Sequence, residues 1–138
     1  MINSRSLSDL NPKVAALCST FINKCKDQHI DIIITSTYRD TESQNALYAQ
    51  GRTAPGKKVT NAKGGQSFHN WKVAFDFCPI VNGKPNWSDV ALYTKCGEIA
   101  ESVGLEWAGR WKGKMIEMAH CQYTSNLTLH DFQQGKTL

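Results

Sequence analysis

The sequence predicts a small α+β domain with a central antiparallel sheet flanked by helices. Three observations carry that reading. The 138 residues are 41% hydrophobic and 20% charged, the balance of a single globular unit with a real core. Two segments, residues 30–37 and about 73–79, are short, apolar and rich in β-branched or aromatic side chains, as core strands are. Helical patterns do not alternate regularly with these strands, which favours antiparallel pairing over parallel crossovers.

Taken in order, residues 1–10 read as a lead-in. Asn11-Pro12 then suits a helix start, with Asn as the cap and Pro in the first turn. Val14, Leu17, Cys18, Phe21, Ile22 and Cys25 recur at helical spacing, and the helix is expected to end near Lys26 or Asp27. The first strand follows. Thr41 and Gln44 fit a capping box for a second helix that runs to Gln50, with Gly51 placed to end it. Residues 51–66 read as a long loop, and loops of that length in a small domain usually carry function. After the second strand, Asn82-Gly83 and Pro85 mark a turn. Ser88 is the expected cap of a helix through Val103, buried along Leu92, Cys96, Ile99, Ala100 and Val103 and ended by Gly104. Residues 105–107 are a short strand candidate and 108–114 a loop. Residues 115–123 return toward the core, and the polar tail from Thr124 holds one helical turn at 129–133.

Composition excludes some classes of function. The net charge of +4 favours a polyanionic partner, yet no Lys/Arg run resembles a nucleic-acid arm, so no nucleic acid is expected. No apolar run approaches the roughly 20 residues of a membrane span, so no stable membrane association is expected either. The first seven residues lack the apolar core of a signal peptide, which implies synthesis in the cytosol. Five cysteines without a CxxC pair read as buried apolar residues rather than disulfides. The stretch Gly51-Arg52-Thr53-Ala54-Pro55-Gly56-Lys57-Lys58 nearly matches a phosphate loop, but it lacks the final hydroxyl residue and follows a helix.

The chemistry concentrates in Ser67-Phe68-His69-Asn70-Trp71-Lys72-Val73-Ala74-Phe75-Asp76. A carboxylate among Val73, Ala74, Phe75 and Phe77 must be paired or metal-bound, because burying it bare is too costly. His69, Asp76 and His120 supply the two imidazoles and one carboxylate of a catalytic zinc site, which keeps a fourth position open for water. Zinc acidifies such a water and polarises a carbonyl, and Glu117, three residues before His120, is the carboxylate able to take its proton. His69 and Asp76 differ in strand parity, so His69 belongs in the turn before the strand. Spacing alone leaves open a chance His-x6-Asp and a surface Glu-x-x-His pair. Arg39, at the end of the first strand, is placed to hold a substrate carboxylate or an oxyanion; a salt bridge to Asp40 or Glu42 is the alternative.

Four segments carry a family resemblance: Ser36-Thr37-Tyr38-Arg39, residues 44–53, residues 60–70, and Gly104-Leu105-Glu106-Trp107. Together with the pattern SxHxxGxAxD and a downstream acidic-x-x-His, they make residues 30–123 resemble the VanY/VanX-type zinc peptidases. Within these, the chain looks most like the L-alanyl-D-glutamate endopeptidases of phage endolysins and autolysins. The resemblance implies a Hedgehog/DD-peptidase-like fold, one Zn2+ on His69, Asp76 and His120, Glu117 as general base, Arg39 on the oxyanion or substrate, and Ser67 and Gln44 along the substrate cleft. It implies a peptidoglycan stem peptide as substrate. The expected organisation is one catalytic domain over residues 1–138 with no separate wall-binding domain, acting as a monomer. The expected setting is the host cytoplasm until a holin releases the enzyme to the wall for lysis. A D-Ala-D-Ala carboxypeptidase or dipeptidase, and a non-catalytic wall-binding module of the same fold, are the alternatives. One departure stands inside the motif: Lys72 replaces its glycine. If the position needs a positive φ, lysine is strained there; otherwise it places a cation at the cleft edge.

Overall fold

Aromatic packing between one helix and the central strand builds the core. Phe21 meets Phe77 edge-on at 5.1 Å between ring centroids and Phe75 at 6.0 Å. Tyr93 closes on Phe77 from a second helix at 5.3 Å and donates its hydroxyl to the Phe77 carbonyl. These contacts come from a computed structural model of the chain, which describes residues 1–112 and 116–138.

Helix α1 spans Pro12–Asp27, with the Asn11 side chain accepting from Lys13 N, and buries Val14, Cys18, Phe21 and Cys25. Strand β1 (Asp31–Ser36) follows, then α2 (Thr41–Ala49). Strand β2 (Ala74–Val81) turns through Asn82 and Gly83, both at positive φ, into the two-residue β3 (Lys84–Pro85). Helix α3 (Val90–Ser102) leads to β4 (Glu106–Trp107), β5 (His120–Gln122) and α4 (Leu129–Gln133). The sheet runs β1-β2-β5-β4, with β3 on β2, and every pairing is antiparallel. The predicted α+β class and antiparallel sheet are therefore present.

Register decides which side chains meet. Phe75 lies opposite Cys121 and Asp76 opposite His120. Alternation sends Phe75, Phe77 and Cys121 to the helix-covered face and Asp76 and His120 to the other. A register shift between Ile34 and Ser36 brings Ser36 opposite Asp76 on the remaining side. All five cysteines are buried and free, and burial pushes the Cys121 thiol well above its ordinary value, as suits a core filler.

Several local expectations change. The cap of α2 is Asp40, whose Oδ1 accepts from Ser43 N at 2.8 Å, so no Thr41–Gln44 capping box forms. Asp89 rather than Ser88 caps α3. Residues 1–10 do more than lead in. Ser4 exchanges backbone hydrogen bonds with Thr37 and Tyr38, and Ile2 O accepts from Asp40 N, so the segment covers the chain just beyond β1. The returning segment is seen from Ile116 onward, and its first residue, Met115, lies outside the described residues.

Lys72 sits at φ 64°, ψ 24°, a left-handed conformation that an L side chain adopts at a cost. Its ammonium lies over the Tyr38 ring at 4.8 Å and is not among the groups lining the cleft described below. The glycine of the pattern is thus replaced at a true positive-φ position. Lys72→Val should lower unfolding free energy by about 1–2 kcal/mol, because a β-branched residue tolerates this conformation worst. Lys72→Gly should stay within about 0.5 kcal/mol, since relief of strain is offset by the lost ring contact and a freer unfolded chain. Urea titration of both variants checks this.

Candidate active site

The turn that carries His69 is built by its own side chains. Phe68–Trp71 is a single 3-10 turn, with Ser67 Oγ accepting from His69 N and Asn70 Oδ1 accepting from Ser67 N. Asn70 Nδ2 also donates to the Arg39 carbonyl at 2.8 Å, and Arg39 N donates to His69 O. The end of β1 and the histidine turn are therefore one unit.

Within it, His69 Nδ1 is 2.8 Å from the Thr37 carbonyl. A carbonyl only accepts, so Nδ1 carries the proton and Nε2 presents its lone pair. Nε2 faces Asp76 Oδ1 at 3.3 Å. From the opposite side His120 Nδ1 faces the same oxygen at 3.5 Å, while its Nε2 bonds to Gln122 Oε1 at 2.8 Å. The two imidazoles thus offer different nitrogens, each oriented by a bond at the other.

These three donors lie within 4.8 Å of one another. Tetrahedral zinc with ligands at about 2.0–2.1 Å spaces its donors by roughly 3.3 Å, close to the two imidazole–carboxylate distances. The set of two nitrogens and one carboxylate fits one zinc ion. Asp76 is held well below the usual carboxylate range: burial pushes it up, but His69 and His120 outweigh that.

Glu117 is brought beside this group by a tight turn. His120 N donates to Glu117 O, Phe77 N to Ala119 O, and Trp107 Nε1 to Met118 O. The Glu117 carboxylate lies 3.6 Å from His120 Nδ1 and is largely exposed to the cleft. Arg39 approaches from behind. Its Nη2 lies 3.9 Å from Asp76 Oδ2 and donates to Ser36 Oγ, and its Nη1 donates to Gln44 Oε1 at 2.8 Å. Among the described residues, its Nε is the one buried side-chain polar atom without a partner. Neither Asp40 nor Glu42 pairs with it; both lie near the N-terminal amine. Burial lowers the Arg39 pKa, with Asp76 and Glu117 opposing.

A cleft of about 990 Å³ opens over the site, lined by Arg39, Ser67, His69, Asp76, Glu117 and His120 together with apolar groups such as Val59 and Trp111. Six of the seven residues singled out from the sequence therefore converge on it. The seventh, Gln44, does not reach the cleft. It is fully buried behind the cleft wall, where its Oε1 accepts from Arg39 and its Nε2 donates to the Ala62 carbonyl. The sequence reading missed Thr37, Gln122 and Trp111. Gln122 was within reach of it: two residues beyond His120 on a strand, it shares that histidine's face.

Comparison with known proteins agrees with this geometry. The family model described as "VanY: D-alanyl-D-alanine carboxypeptidase" matches residues 7–126. The peptidoglycan L-alanyl-D-glutamate endopeptidase CwlK of Bacillus subtilis (strain 168) is 37% identical over 120 residues, 76% of this chain and 68% of that protein. Among solved structures, the Serratia marcescens L-Ala D-Glu endopeptidase ChiX superposes with TM-score 0.66 at 17% identity, over 95% of this chain and 92% of that one. The vancomycin-resistance D,D-pentapeptidase VanY of a VanB-type cassette, solved with Zn(II), gives 0.62 at 14% identity, over 83% and 72%. Fold, donor set and sequence together define a metal-dependent hydrolase of the peptidoglycan-peptidase class. The chain belongs to the VanY family.

The charges make the metal-free site sensitive to pH. The His120 pKa is raised: burial lowers it, but Asp76, Gln122 and Glu117 favour the imidazolium more strongly. A raised folded value means that this contribution is fully present below the unfolded pKa of about 6.5 and is lost as pH rises through the folded value. The depressed Asp76 contributes above about pH 4 and loses that contribution only in stronger acid. Metal-free protein should therefore be less stable at pH 8 than at pH 6 in denaturant titrations. Equal stability at the two values would contradict the charged pairing of His120.

Proposed function

We propose that the chain is a zinc peptidase that hydrolyses the L-Ala–D-Glu bond of the peptidoglycan stem peptide, with His69, Asp76 and His120 as the metal ligands. The observation that carries this reading is the register of β2 and β5, which sets Asp76 against His120 with Glu117 beside them and Arg39 behind. The choice of bond is supported by the 37% identity to an L-alanyl-D-glutamate endopeptidase over most of both chains.

Zinc held by these residues would supply a Lewis acid for the amide carbonyl and an acidified water. Asp76 and the two histidines keep their donor atoms aimed at one point through the bonds to Thr37 and Gln122. Glu117, reaching the cleft from its turn, takes the proton of the attacking water and returns it to the leaving amine. Arg39, held by Gln44 and Ser36 and with its Nε unpartnered, meets the negative charge that develops on the carbonyl oxygen. Ser67 lines the cleft at the histidine turn, where a substrate backbone can lie against it.

The proposed setting is a phage lysis system, with the enzyme acting as a monomer after a holin opens the inner membrane. Among the described residues, no helix is long and apolar enough to cross a membrane, and the net charge of +4 would favour approach to an anionic envelope.

Purified muropeptides should yield products with D-Glu as the new N-terminus by mass spectrometry; free D-alanine as the sole product would instead assign the carboxypeptidase activity named for the family model. The protein should purify with about one zinc per chain and lose activity on chelation. Glu117→Ala should keep its zinc and lose about 10²–10⁴-fold in turnover; wild-type turnover in that variant would remove Glu117 as the base.

A further inference from the structure

Residues 127–138 lie beyond the family-matched span, yet they pack against the turn that carries His69. Phe132, on α4, is 3% exposed. Its ring stacks on Trp71 at 6.2 Å with 16° between planes, and meets Phe68 edge-on at 6.2 Å. Phe68 and Trp71 are the two ends of the 3-10 turn, so Phe132 packs against residues on both sides of the histidine.

A second contact ties the same turn to the preceding loop. The Gly65 carbonyl accepts from Trp71 Nε1 at 3.1 Å and from Gln133 Nε2 at 3.0 Å. Gly65 N in turn donates to Asn70 Oδ1. The segment is organised for this role. Thr128 and Asp131 form a capping box at the start of α4, and Lys136 pairs with Asp131 at 3.2 Å. A helix of five residues has little stability of its own, so the docked aromatic cluster must hold it in place. One turn earlier, Leu129 reaches the cleft wall.

We propose that the C-terminal segment is a strap that positions His69, with Phe132 as its principal positioning residue and Gln133 as a secondary tie. Its contribution is to hold the Phe68–Trp71 turn in the conformation that aims His69 Nε2 at Asp76. This rests on the reading of His69 as a metal ligand. The wild-type cluster differs from general core packing in a testable way: its loss should act on the metal before it acts on the fold.

The test compares Phe132→Ala, Phe132→Leu and Val14→Ala as full-length chains. Val14 is a fully buried α1 residue that does not line the cleft, so its truncation costs stability without removing a cleft side chain. By competition with a fluorescent chelator, Phe132→Ala should bind zinc about tenfold more weakly. Phe132→Leu, which keeps most of the buried volume, should recover most of that loss. Val14→Ala should bind zinc as the wild type does. Unchanged zinc affinity in Phe132→Ala, or equal weakening in Val14→Ala, would overturn the proposal. Amide exchange across residues 67–72 of the metal-free proteins gives a readout independent of zinc, and it should accelerate in Phe132→Ala alone. If the wild type itself bound no zinc, the ligand reading would fail, and the exchange data would still decide the strap. Should Phe132→Ala not fold, Gln133→Ala removes one donor to Gly65 from an exposed position; exchange at 65–71 unchanged in that variant would overturn the proposal.

Discussion

A single carboxylate in an apolar strand sets the terms for the rest of the molecule. Asp76 stands between Phe75 and Phe77 along the strand but faces the opposite side, where it is about a quarter exposed to the cleft and its charge still needs compensation. The compensation comes from three directions: His69 from the turn before the strand, His120 from the neighbouring strand, and Arg39 from beyond β1. Losing one partner of a buried charge typically costs 3–5 kcal/mol. The fold is therefore committed to bringing these four residues together, and the same commitment produces a site able to hold a metal.

Precision at the site comes mostly from backbone groups. The Thr37 carbonyl selects the His69 tautomer, the Arg39 backbone is bonded on both sides by the histidine turn, and the N-terminal residues cover the stretch between them. This places the proposed site on the ends of elements rather than on free loops, with side chains whose rotamers are fixed by neighbours. Glu117 is the exception: it is exposed on a turn beside the cleft, as suits the proton-transfer role proposed for it. Gln44 exemplifies the supporting layer. Buried just behind the cleft wall, it grips Arg39, whose Nε is itself a buried polar atom without a partner.

Much of this was legible because the constraints were local or chemical. Helix α1 could be read from Asn11-Pro12 and its apolar stripe, β2 from its aromatic run, and the donor set from residue types that have no place on packing grounds. The opposite strand parity of His69 and Asp76 already required a turn between them. Helix caps were less legible, because Asp40 and Thr41, or Ser88 and Asp89, are adjacent residues with similar capping chemistry, and only the backbone angles separate them. The N-terminal segment was not legible, because it is tied down by backbone pairing with Thr37, Tyr38 and Asp40 and by scattered single side-chain bonds, neither of which makes a periodic pattern.

The sequence by itself determined the fold class, the family and the residue types of the proposed site, since these depend on residue type, period and order along the chain. Tertiary structure alone decided which atoms face one another. Register put Asp76 opposite His120 rather than Cys121, a bulge aligned Ser36 with Asp76, and α4 docked on a turn some 60 residues away. A shift of one residue in pairing would have sent the carboxylate into the helix-covered core. Lys72 shows the boundary between the two kinds of information. Its replacement of a glycine was visible in the sequence, but its left-handed backbone and its seat over Tyr38, away from the cleft, required the folded chain.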